Sequence, residues 1–185
     1  STTGNAALEL TVPSTASDTL DSLKRSGNIL QVVSVTKTAT ASSSVAPGAT
    51  WSYNDAALRA SITASNASNL FYITGQVCIG SNGMAVHTVL QDNGSAVTGA
   101  IGDADGSRYR ATTIDDNGNT EGAITMPLSV LLTAGDTNEH KFHYAFAHNS
   151  SGSTITYYLN RSFSDNDTST RARYISNITV MEIGA

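Results

Sequence analysis

Three stretches bring acidic oxygens together at short spacing. GDADGS sets Asp103 and Asp105 two residues apart with Gly106 following; DDNGN offers Asp115, Asp116, Asn117 and Asn119; SDNDTS adds Asp165 and Asp167. Oxygen sets of this kind hold Ca2+. None has the closing Glu of an EF-hand loop, and Asp, Asn and Gly are also what tight turns select. Turn chemistry is the first reading, and Asp103 and Asp105 are the pair a Ca2+ ion would use. The histidines are His87, His140, His143 and His148. His140 and His143 lie three apart in an alternating run, so they face opposite sides of a strand and do not share a metal. The single cysteine, Cys78, sits in the apolar run FYITGQVCIG and reads as a small core residue. No G-x-S-x-G elbow and no glycine-rich phosphate loop occurs. The acids fall in turn-like loops, so a non-enzymatic protein without a cofactor is expected.

Two charges break an otherwise apolar pattern near the end of the chain. Ile155, Tyr157, Leu159 and Arg161 alternate onto one side of a strand, and Ile178, Val180 and Glu182 do the same in the last run. A lone buried charge costs several kcal/mol, and burial is tolerated mainly with a partner. The simplest resolution is a bidentate Arg161–Glu182 ion pair that fixes the register of the closing strand; the alternative is that both charges, near strand ends, reach water.

The elements that must position these residues are strands. The chain has 185 residues and 39% hydrophobic content, enough for one domain with a core. Charged residues make up only 14%, while Ser and Thr supply roughly a quarter of the chain, a composition that suits β-structure. From Asn28 onward, runs such as ILQVVSVT, TWSYN, LRASITA, LFYITGQVCI, MAVHTVLQD, SAVTGAIG, SRYRATTID, AITMPLSVLLT, HKFHYAFAH, TITYYLNRS and YISNITVMEI alternate with Asn-, Asp- and Gly-rich turns. The expectation is an all-β chain: a single antiparallel β-sandwich of jelly-roll type over residues 28–185, with a short N-terminal extended arm over 1–27. Pro127 belongs at an edge or bulge. The arm is apolar at Leu8, Leu10, Val12, Leu20 and Leu23, which would dock it on a partner. A net charge of −5 argues against nucleic acid, and no run is long and apolar enough for insertion in a membrane as a helix. Strands such as MPLSVLLTA and FHYAFA are apolar at most positions, as strands covered on both faces are.

Four stretches together carry a resemblance: GNILQVVSVTKT, GDADGSRYRATT, YYLNRSFSDND and SNITVMEIGA. In this order the chain resembles a β-rich head domain of tailed-bacteriophage virion structural proteins, of tail-fibre, capsid-fibre or decoration type and often from marine phages. The likeness covers residues 27–185. It implies a jelly-roll head in a homotrimer, located in the virion after assembly in the host cytoplasm and contacting capsid or tail proteins of the same particle. The function it implies is that of a virion surface structural protein, either a capsid decoration or a short fibre, with the arm docked and the head exposed. The alternative is a tail-fibre tip for host attachment, binding a host-surface glycan or protein, with Trp51, Tyr53 and Tyr109 as candidate contacts; for Trp51 a place in the core or an interface is the first reading.

Overall fold

The computed structural model describes residues 26–53, 56–83, 86–115, 122–148, 152–169 and 171–185. Within them the chain is all β, with single 3-10 turns at Ala56–Leu58 and Thr98–Ala100 and no α-helix. The first sheet grows from the long strand β5 (Leu70–Ser81). One edge of β5 carries β9 (Ala123–Thr133). The other carries β12 (Ser176–Ile183) along its first part and β11 (Ile155–Leu159) along its last. Beyond β12 lies β1 (Ile29–Lys37), and beyond β11 lies β2 (Ala41–Val45).

The second sheet is centred on β10 (Glu139–Ala147) and β6 (Val86–Asp92). β3 (Thr50–Tyr53) and β4 (Ala60–Thr63) pair with the far edge of β10, and β7 (Ser95–Ala96) and β8 (Thr113–Asp115) with the far edge of β6. Every one of these pairings is antiparallel. The architecture is an antiparallel β-sandwich.

Alternation explains why the two sheets close on each other. Phe71, Ile73, Val77 and Ile79 of β5, Met126 and Leu128 of β9, Tyr157 and Leu159 of β11 and Ile178 and Val180 of β12 face Phe142, Tyr144 and Phe146 of β10 and Leu90 of β6 in one buried cluster. Phe71 meets Phe142 edge-on at 5.7 Å, and Phe146 leans on Tyr157 at 5.9 Å. The Tyr144 hydroxyl crosses the interior and donates to the Asn177 carbonyl at 2.9 Å. Gly75 makes that crossing fit. A Cβ there would collide with the Asn177 carbonyl and lie 2.8 Å from the Tyr144 hydroxyl and 3.0 Å from the Ile178 Cα.

Most expected strands form, Pro127 lying on β9, which pairs only with β5. Two expected strands shrink. SAVTGAIG yields only β7 and a 3-10 turn, and SRYRATTID only β8, because residues 102–112 form a loop over the second sheet. The Ser-rich β2 was not expected. The proposed arm residues Leu8, Leu10, Val12, Leu20 and Leu23 lie outside the described residues.

Candidate interaction surfaces

Glu182 sits on the core side of β12 and is 1% exposed, but its partner is not Arg161. Its Oε2 accepts from Gln31 Nε2 at 2.6 Å. Its Oε1 accepts from the Ser65 amide at 2.7 Å, the Ser65 hydroxyl at 2.8 Å and Asn69 Nδ2 at 2.5 Å. Gln31 also donates to the Thr63 carbonyl at 2.7 Å. Burial alone would raise this carboxyl's pKa, but the four donors outweigh it and hold the group below its ordinary value. Four neutral donors do the work expected of one arginine, and they tie β1, the β4–β5 connection and β12 together at one point.

Arg161 is level with Gly80 of β5, whereas Glu182 pairs with Phe71. At roughly 3.3 Å per residue that places them about 30 Å apart. Alternation fails before Arg161 because Asn160 takes a left-handed backbone, φ +59°, and turns the chain out of the strand. Arg161 instead lies over the Tyr158 ring at 4.2 Å and 3.5 Å from Asp165, which Arg173 also engages.

Asn160 is the second buried hub. Its Nδ2 donates to the Lys37 carbonyl at 2.8 Å and the Ala39 carbonyl at 3.1 Å, and its Oδ1 accepts from the Ser176 hydroxyl at 2.6 Å. Its backbone amide donates to the Cys78 carbonyl at 2.9 Å. Cys78 itself is buried beneath this segment, and burial pushes its thiol up. Gln31, Asn160, Ser176 and Glu182 all fall in the four stretches that carry the family resemblance. The sequence signal for these hubs was therefore present, although the partners were not.

The outer face of the first sheet has an unusual composition. Strand register lays it out as four rows across β1, β12, β5 and β9: Ile29–Ile183–Leu70–Thr133, Val32–Met181–Tyr72–Leu131, Ser34–Thr179–Thr74–Ser129 and Thr36–Asn177–Gln76–Pro127. None of these positions carries a charge. Val32 and Leu131 are each 54% exposed. The third row is hydroxyls throughout, with Ser34 and Thr179 bonded at 2.7 Å and Tyr72 reaching Ser129 at 3.1 Å.

The outer face of the second sheet is covered instead. His87, Val89 and Gln91 of β6 point away from the core, as do His143 and Ala145 of β10, and all are buried. The segment over them is pinned at Thr112, whose amide donates to the Thr88 carbonyl at 2.8 Å and whose hydroxyl oxygen accepts from the Leu90 amide at 2.9 Å. Tyr109 stacks on His87 with centroids 4.7 Å apart and planes 21° apart. Beside it opens a cleft of about 380 Å³, bordered by Thr50, Gln91, Ala96, Arg108, Tyr109 and Arg110.

Of the three aromatic candidates for surface contacts, Tyr109 is exposed. Trp51 and Tyr53 turn to the core face of β3, where Trp51 packs on Phe146 at 5.4 Å and Tyr53 is buried. Alternation along β3 puts the two aromatic residues on the same face. Asp105 is engaged by Arg108 and Asp103 is exposed. No group of three or more His, Cys, Asp or Glu is placed to hold a metal among the described residues.

No family model and no curated protein matches the sequence. Chains of infectious bursal disease virus are among the solved structures similar to this one. A chain of the infectious bursal disease virus Gx strain is 18% identical at a TM-score of 0.40, covering 84% of this chain and 36% of its own. One of the Gt strain is 15% identical at 0.40, with coverages of 84% and 38%. One from T=1 particles derived from infectious bursal virus is 13% identical at 0.35, with coverages of 83% and 40%. This chain thus spans less than half the length of each.

Proposed function

We propose that the protein is a non-enzymatic structural subunit of a virion surface, a capsid decoration or short fibre, assembled as a trimer. Each copy is seated on its neighbours through the uncharged outer face of its first sheet, and the loop-covered second sheet faces outward. The observation that carries this is the absence of charge from four rows of four positions, in a chain of net charge −5. A sheet face meant for water mixes charged residues of both signs. A face of methyls and hydroxyls loses its water at little cost, since no ion must be desolvated. At about 4.8 Å between strands and 6.7 Å between rows it spans roughly 14 by 20 Å, a plausible core for a contact that also recruits its rim.

The strand order supports a jelly roll as the finer description of the sandwich. β1-β12-β5-β9 faces β4-β10-β6-β8, and the chain crosses from sheet to sheet between β4 and β5, β5 and β6, β8 and β9, and β9 and β10. The cleft beside Tyr109 favours one other reading, a fibre tip that binds a host-surface glycan.

Thr74→Lys tests the seating face, because it places one ammonium in the middle of the hydroxyl row. Thr74 is on the outer face, so the variant should keep the fold of the subunit by far-UV circular dichroism, and its melting temperature should fall only by what assembly itself contributes. In light scattering after gel filtration, the wild-type chain is expected as a trimer and the variant as a monomer. A monomeric wild type, or a variant that still assembles, contradicts the proposal.

A further inference from the structure

We propose that the cleft over the second sheet binds an acidic saccharide, with a sugar ring stacked on Tyr109 and its carboxylate held by Arg110. The Tyr109 ring is 42% exposed although one of its faces rests on the buried His87. That stack holds the ring in place before any ligand arrives, so little rotamer freedom is lost on binding. Arg110 is fixed as well: its Nε–H donates to the Gly102 carbonyl at 2.6 Å, which leaves the two terminal nitrogens as a fork. No carboxylate pairs with it among the described residues, in a chain where acids outnumber Lys and Arg by 15 to 10. Arg108 beside it is already engaged by Asp105.

Gln91 supplies a polar group to the floor of the cleft. His143 Nδ1 lies 2.9 Å from the Lys141 carbonyl, so it carries the proton and donates it there. Burial pulls the His143 pKa down and keeps the ring neutral, which makes Nε2 an acceptor. Only a donor can face this unprotonated nitrogen, so the group at 3.1 Å is the Gln91 amide NH2. The Gln91 carbonyl oxygen is left to accept from a sugar hydroxyl.

A cleft of about 380 Å³ is within the range of small-ligand sites. A neutral sugar would use the ring and leave Arg110 unmatched, and a bare phosphate would do the reverse. A carboxylated sugar uses both. The cleft lies on the opposite sheet from the seating face, so its ligand and the mode of assembly are separable.

The test is titration of the whole chain with an alginate tetrasaccharide, whose units are uronic acids, and with neutral cellotetraose, followed by calorimetry and amide NMR shifts. The alginate tetramer is expected to bind and to move the Ala96 and Ser107–Arg110 amides. Cellotetraose should bind at least ten-fold more weakly. Arg110→Gln and Tyr109→Ala should each weaken the alginate tetramer ten-fold or more, whereas Thr74→Lys should bind it as the wild type does. The proposal is overturned by no binding of the alginate tetramer, by equal binding of both sugars, by an Arg110→Gln variant indistinguishable from wild type, or by shifts that map elsewhere.

Discussion

Glu182→Gln lowers the thermal midpoint by about 5–15 °C without changing the size of the side chain. The carboxylate accepts four hydrogen bonds in a buried position. An amide offers one acceptor oxygen and turns an NH2 toward groups that themselves donate, so at least two buried donors are left unmatched at about 1–3 kcal/mol each. Two such losses, about 2–6 kcal/mol together, are a large share of a typical stability of about 5–15 kcal/mol, and at about 2.5 °C per kcal/mol they give the quoted range.

The same site sets an acid limit. The folded pKa of Glu182 lies below its ordinary value of 4.5. Its contribution to stability is therefore complete above about pH 4.5 and is lost as the pH falls through the folded value. Wild-type melting temperature should drop across that window, and Glu182→Gln should show a shallower drop there. Melting curves from pH 7 to 3 decide this, and equal slopes for the two proteins would show that the carboxylate is not the group held down.

Asn160 gives the second large effect, about 3–5 kcal/mol for Asn160→Ala. Three side-chain hydrogen bonds vanish from a fully buried site, leaving the Lys37 and Ala39 carbonyls and the Ser176 hydroxyl to find other partners. Alanine also resists the left-handed backbone at φ +59° by about 1 kcal/mol. Asn160→Gly removes the same bonds but accepts that backbone. It should therefore be the more stable of the two variants by about 1 kcal/mol in denaturant unfolding. The reverse order would mean that the positive φ is not what the site requires.

How much of this was legible in the sequence follows from what each signal depends on. Period-two alternation is local, so the long strands β1, β5, β6, β9, β10 and β12 could be read directly, and so could the opposite facings of His140 and His143. The loss of alternation at Asn160 was not legible as such. One left-handed residue reset the phase and sent Arg161 out of the core, away from Glu182. The partners of Glu182 are neutral amides and a serine, brought together by tertiary pairing of β1, β12 and the β4–β5 connection, and nothing in their spacing marks them. For Trp51 the core reading, weighed in the sequence against a contact role, is the one the structure gives, and Tyr53 follows it onto the same face of β3. The uncharged outer face needed strand register, because its four rows come from segments far apart in the chain. Tyr109 was found by its setting in SRYR, yet the covered sheet beneath it was not.

Hydroxyl-radical footprinting of the assembled protein against the Thr74→Lys monomer tests the seating face most directly. Met181, Tyr72 and Leu131 should be protected in the assembly and modified in the monomer, while Tyr109 stays reactive in both. Protection of Tyr109 with Met181 equally modified in both forms would contradict the proposed orientation.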